Sequence, residues 1–277
     1  MRGLLIIAHL TLYDALRRRI VTAALLCGGS FLIVFTVSMF LANADIVRDG
    51  QPFLQRQGSL SLLTIAGLFA ANFLTVLFAV LLPVDALSGE IDSGVMQTLA
   101  AKPLHRSQIL LGKWVAYLGI VAAYMLMLCG GVLAAGWLLA GHAQINVTRA
   151  LPLMLLEATL LVTVSIAGGT RLSTVTNGIA ALGFYGIAFV GGWVEQIGGF
   201  AGIPSARTVG IVASLISPPD ALWRRAAWEL QPPILRDLGA AAFEAASVPT
   251  ALAVWWAAAF TLAVLAWAVR SFAQRQL

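Results

Sequence analysis

Six apolar runs, each about as long as a bilayer is thick, leave this chain almost no choice of fold. A helix needs ~20 apolar residues to cross the hydrocarbon core. Runs of that kind occupy residues 20–42, 60–84, 114–140, 151–170, 177–194 and 248–269. The fifth is short and glycine-rich, and takes its bulk from Phe184, Tyr185, Phe189 and Trp193. Inside lipid no water satisfies the backbone, so such runs fold as helices. The first run exceeds the ~7–15-residue core of a secretory signal. Asn43-Ala44-Asp45 after it is a poor cleavage site, so it reads as a retained span.

Composition agrees. Of 277 residues, 60% are hydrophobic and 10% charged, against ~25% charged in soluble domains. A wet surface cannot be covered with so few polar groups. The net charge of +5 does not point to nucleic acid, because the basic residues flank the apolar runs, where they face anionic lipid. The expectation is an all-α integral membrane protein of one permease domain, residues 1–277.

Orientation follows from lysine and arginine. With the N-terminus inside, the inner segments carry ten of them, and the two short outer loops carry three, Arg48, Arg56 and Arg149. The last outer loop holds four more, but the bias weakens as loops lengthen. Both termini are therefore expected in the cytoplasm. In residues 3–19, Ile6, Leu10, Tyr13 and Leu16 recur at helical spacing ahead of Arg17-Arg18-Arg19. This predicts an amphipathic helix in the inner interface, with the three arginines at lipid headgroups.

Residues 195–247 read as a small external helical cap on the span mouths. Residues 208–216 are an apolar run too short to span, suited to a re-entrant or interfacial helix. Pro218 and Pro219, with Pro232 and Pro233, bracket a second helix carrying Asp220, Trp223 and Trp228, and residues 237–246 form a third candidate.

The polar chemistry is concentrated in residues 85–113, between the second and third runs. Leu87, Ile91, Val95 and Leu99 step by four and form one apolar stripe, with Ser88, Glu90, Asp92, Ser93 and Gln97 mainly off it. Pro103 ends the helix near Lys102, and Ser107 is placed as the N-cap of the next. The reading is helix (residues 86–101), proline turn, helix, across the cytoplasmic face.

Here Glu90, Gly94, Leu99, Pro103, Arg106, Leu111, Gly112 and Lys113 stand in an order that resembles the first cytoplasmic loop of type-2 ABC exporter permeases, in the NosY-like group. Val95 replaces the usual threonine, and Lys102 and His105 stand where small polar residues are common. Ser217-Pro218-Pro219-Asp220 is a weaker parallel to an Asn-Pro-x-Asp step before the last span. The resemblance extends to the layout of the whole chain.

It implies a coupling helix seated in a separate ABC ATPase, with contacts from Glu90, Asp92, Ser93, Gly94, Val95, Gln97, Lys102, Pro103 and Arg106. Lys113 would join Arg17, Arg18 and Arg19 at lipid headgroups. A second permease copy, most simply a homodimer, completes the assembly, and a periplasmic protein is a further partner. ATP and Mg would sit on the ATPase, with no cofactor in this chain, in a bacterial inner membrane.

Other chemistry is not encoded. Gly112-Lys113 is no phosphate loop, since Ser107 stands where the earlier glycine belongs and Trp114 follows the lysine. His9, His105 and His142 lie in separate segments, Cys27 and Cys129 lie in apolar runs, and neither HExxH nor GxSxG occurs. The mid-span polar candidates are Asn72, Glu157 and Ser165. Glu157 lies ~10 Å into its span. A pairing role, a place on a substrate path and an interfacial position all remain open for it. The rival functions are a secondary transporter or channel, and a membrane anchor for a periplasmic assembly factor.

Overall fold

The structure, a computed structural model, describes residues 2–92, 105–232 and 248–275. Within them the chain forms α1 (Arg2–Leu16), α2 (Arg19–Arg48), α3 (Phe53–Leu81), α4 (Ser88–Asp92) and α5 (Arg106–Ala140). Then come α6 (Val147–Gly169), α7 (Thr174–Phe200), α8 (Pro204–Ile216), α9 (Pro219–Leu230) and α10 (Ala251–Gln274). Helices α2, α3, α5, α6, α7 and α10 are long and apolar enough to cross a membrane. The protein is an all-α, multi-pass membrane protein.

Helices α3 and α6 form the centre, with 61% of each span buried, whereas α2 and α10 are peripheral at 17%. In lipid there is no hydrophobic drive between helices, so close packing uses small residues. A Cβ on Gly28 of α2 would lie 2.9 Å from Leu128 of α5, and one on Gly131 of α5 would lie 2.7 Å from Leu32 of α2. At the end of the bundle we call proximal, Arg106 of α5 donates to the Ala273 carbonyl of α10 at 3.3 Å. Helix α1 crosses α5 at the same end, at Gly112. The N-terminal helix and the end of α10 therefore lie together.

Two expectations need correction. Helix α1 buries Ile7, Thr11 and Ala15 against α5, while Ile6, Leu10, Tyr13 and Leu16 are exposed. The apolar stripe read from the sequence is the outward face, because Gly112 seats the opposite side. His105, not Ser107, takes the N-cap position of α5, and it makes no side-chain cap bond.

The second correction concerns the external cap. After the turn at Gly202, α8 runs back antiparallel along α7: Gly198 meets Ala206, Glu195 meets Gly210, and Ser217 Oγ donates to the Phe184 carbonyl at 2.7 Å. Phe184 lies sixteen residues, ~24 Å, before the end of α7. Pro218 and Pro219 then reverse the chain, and α9 returns outward between α3, α6, α7 and α10. Its far end meets the α5–α6 loop, where Asn146 Nδ2 donates to the Glu229 carbonyl at 3.1 Å and Gln144 donates to that of Leu230. So α9 lies inside the bundle and α8 runs exposed along the outside of α7, a re-entrant hairpin rather than a lid over the bundle's mouth. Of the two options for residues 208–216, the re-entrant one holds. The third candidate helix, 237–246, falls outside the described residues.

Candidate functional site

Residues 80–90 leave α3 and enter α4 at the proximal end, and four neighbouring elements grip them. Ser165 Oγ of α6 donates to the Val80 carbonyl at 2.8 Å. Asn177 Nδ2 of α7 donates to the Val84 carbonyl at 2.9 Å and to the Ser165 carbonyl at 2.9 Å. Its Oδ1 fills the space that a Cβ on Gly168 would need. Ser88 Oγ shares a 2.9 Å hydrogen bond with Thr174 Oγ1 at the start of α7. From α5, Lys113 Nζ donates to the Ala86 carbonyl at 2.8 Å and to the Glu90 carboxylate. From the α1–α2 elbow, Arg18 pairs with Asp85.

Electrostatics decide which of these contacts are rigid. The Lys113 side chain is 4% exposed and its partner Glu90 25%. A buried ammonium is tolerated only when paired and hydrogen-bonded, so this pair ties α4 to α5. Arg18 and Asp85 are 27% and 48% exposed, so their contact contributes little net stability but holds the elbow to the loop. Nearby, Arg171 Nε donates to Ser271 Oγ at 2.7 Å, and Arg275 donates to the Thr170 carbonyl. Arg106 also donates to the Arg275 carbonyl. Guanidinium groups there satisfy the last carbonyls of α6 and α10.

The re-entrant hairpin carries a second cluster. Arg224 on α9, with only 5% of its side chain exposed, lies 2.9 Å from Asp220 and 3.0 Å from Glu195 of α7, and it donates to Ser214 of α8 at 3.0 Å. The Asp220 carboxylate fills the space beside Gly192. Arg225 pairs with Glu229 at 2.8 Å and lies 4.5 Å over the Trp228 ring. A polar helix is tolerable inside the bundle because its charges pair with one another. Deeper in, Asn72 of α3 donates to Glu157 of α6 at 2.9 Å, and Glu157 is fully buried.

Residues 5–213 match the family described as ABC-2 family transporter protein. The chain belongs to this family. A stretch of 72 residues is 43% identical to the "Probable ABC transporter permease protein NosY" of Stutzerimonas stutzeri. That match covers 26% of this chain and 26% of the relative.

In this ABC-2 family protein the Leu111-Gly112-Lys113 step has a physical reading. A Cβ on Gly112 would lie 2.9 Å from Ile7 Cβ and from the Leu4 carbonyl, so the glycine lets α1 lie across α5. The next residue then points away from that crossing, into the loop root. This corrects the expectation that Lys113 reaches lipid headgroups: its ammonium is turned inward, where Ala86 and Glu90 offer oxygen. Of the three elbow arginines, Arg18 is also turned inward. Arg17 and Arg19 are exposed, with Arg17 stacked 4.0 Å from the Tyr13 ring.

Glu90 and Arg106 both make intramolecular contacts that the sequence reading did not foresee. The Asp92 side chain, together with Ser93, Gly94, Val95, Gln97, Lys102 and Pro103, lies outside the described residues. Pro218, Pro219 and Asp220 lie on the buried hairpin instead of an outer surface. Glu157 is paired within the bundle, with Asn72.

Sequence reasoning missed Asp85, Thr174, Asn177, Glu195 and Arg224. Asn177 opens the fifth apolar run, and a carboxamide at the edge of such a run was the available signal. Arg224 carried no signal, because α9 is polar enough to look solvent-exposed.

Proposed function

We propose that this chain is the membrane half of an ATP-driven exporter. A separate ABC ATPase carries ATP and Mg and docks on residues 85–113. On this reading the loop, α1 and the end of α10 face the cytoplasm of a bacterial inner membrane. Two copies of the chain enclose the path, and the cargo moves outward. A protein on the outer side, meeting the distal loops around the re-entrant hairpin, is a further partner.

The observation that supports this reading is the grip on residues 80–90. A lever works when a rigid element is biased between two positions and its neighbours must follow. Displacement of α4 is transmitted to the elbow through Asp85–Arg18, to α5 through Lys113, to α6 through Ser165, and to α7 through Asn177 and Thr174. Membership of the ABC-2 family supports a separate ATPase as the source of that bias.

The test is co-expression with the ABC ATPase encoded beside it, followed by co-purification and ATPase assays in nanodiscs. Wild type is expected to change the ATPase rate, and Glu90→Arg to abolish the change. The swap Glu90→Lys with Lys113→Glu controls for loss of the internal pair. No co-purification, or an undiminished rate change with Glu90→Arg, refutes the coupling role. A cysteine at Gln97 that labels only from outside the cell refutes the orientation.

A further inference from the structure

A groove at the proximal end is lined by Leu16 of α1, Val21 and Leu25 of α2, Phe78 of α3, and Gly119 and Ala123 of α5, with a volume of about 330 Å³. That is at the small end of the ~300–1,000 Å³ usual for ligand sites. The one hydroxyl among its lining residues, on Tyr124, is already donated to the Ala24 carbonyl at 3.0 Å. A polar occupant would find no partner there, whereas a hydrocarbon chain would. Its floor is unusual: a Cβ on Gly119 would meet nothing within 4 Å. The glycine therefore serves no helix contact and deepens the groove instead. From Gly119 to Met127 the groove follows α5 for ~12 Å.

The segment that joins two of its walls is basic. The chain passes from Leu16 to Val21, both groove walls, through Arg17-Arg18-Arg19. Arg18 is committed to Asp85. Arg17 and Arg19 are exposed and have no acidic partner among the described residues. Helix α2 begins between them with no side-chain cap. Guanidinium forks match phosphate geometry, and the partial positive charge of the α2 N-terminus has the same sign.

We propose that this groove holds one acyl chain of an anionic phospholipid whose phosphate sits on Arg17 and Arg19. The lipid wedges the α1–α2 elbow against α5. The apolar groove accepts any acyl chain, and the two arginines select headgroup charge. The assignment is independent of whether an ATPase docks on the neighbouring loop.

The test uses the full chain, purified in detergent, stripped of lipid and titrated with phosphatidylglycerol or phosphatidylcholine of identical acyl chains. Bound lipid is read by native mass spectrometry. One phosphatidylglycerol is expected to be retained, about thirtyfold more tightly than phosphatidylcholine, as two basic residues at an anionic surface imply. Arg17→Gln with Arg19→Gln should reduce phosphatidylglycerol to the phosphatidylcholine level. Gly119→Leu and Ala123→Phe, which fill the groove from exposed positions, should each remove both lipids at an unchanged melting temperature. If Gly119→Leu melts early, Ala123→Phe decides alone. Equal retention of the two lipids by wild type overturns the headgroup assignment, and undiminished retention by the groove-filling variants overturns the site.

Discussion

The Lys113 ammonium lies 2.8 Å from the Ala86 carbonyl, so a residue of the third span holds the loop that leaves the second. The same ammonium reaches Glu90 on α4, and Gly112, one residue earlier, seats α1. Two adjacent residues thus join the N-terminal helix, the third span and the loop into one mechanical unit.

Breaking that unit should be costly. Lys113→Glu leaves Ala86 without its donor and sets two carboxylates against each other. Loss of one partner from a fully buried pair costs ~3–5 kcal/mol; the partial hydration of Glu90 lowers the expected figure to about 2–3 kcal/mol. The swap with Glu90→Lys should recover a large part of the loss. Thermal melts of the two variants in detergent check this.

Gly112→Ala should loosen α1 without unfolding the bundle. The new methyl would press on Ile7 and on the Leu4 main chain, and such overpacking costs ~1–3 kcal/mol. A cysteine at buried Thr11 should then react with a thiol reagent several-fold faster than in the Gly112 background. Equal rates would show that α1 absorbs the methyl.

The Asn72–Glu157 pair is open to a double-mutant cycle. Hydrogen bonds between membrane helices average ~0.6 kcal/mol and reach ~1.7, so a coupling energy in that range is expected for Asn72→Leu and Glu157→Leu. If Glu157 serves only to join α3 to α6, the double variant retains transport. Loss of transport at wild-type stability would instead place Glu157 on the substrate path.

The number, order and approximate limits of the spans were legible in the sequence, because a bilayer imposes a length and a polarity that hydropathy reads directly. Gly112 and the Ser217-Pro218-Pro219-Asp220 step also stood out, since backbone chemistry is local. The roles of charged side chains were less legible. Lys113, beside a span, satisfies the topology rule equally well pointing to lipid or pointing inward. Only the position of Ala86 and Glu90, more than twenty residues earlier, decides between them.

The amino-acid sequence by itself determined that this chain is a six-span helical membrane protein with one polar loop of specific chemistry. Tertiary structure alone decided that α1 packs through Ile7 and Thr11, that α8 and α9 form a re-entrant hairpin, and that Arg224 is buried between Asp220 and Glu195. The physical reason is that a hydrophobic run declares its environment residue by residue. A charge becomes compatible with burial only through partners that distant segments bring to it.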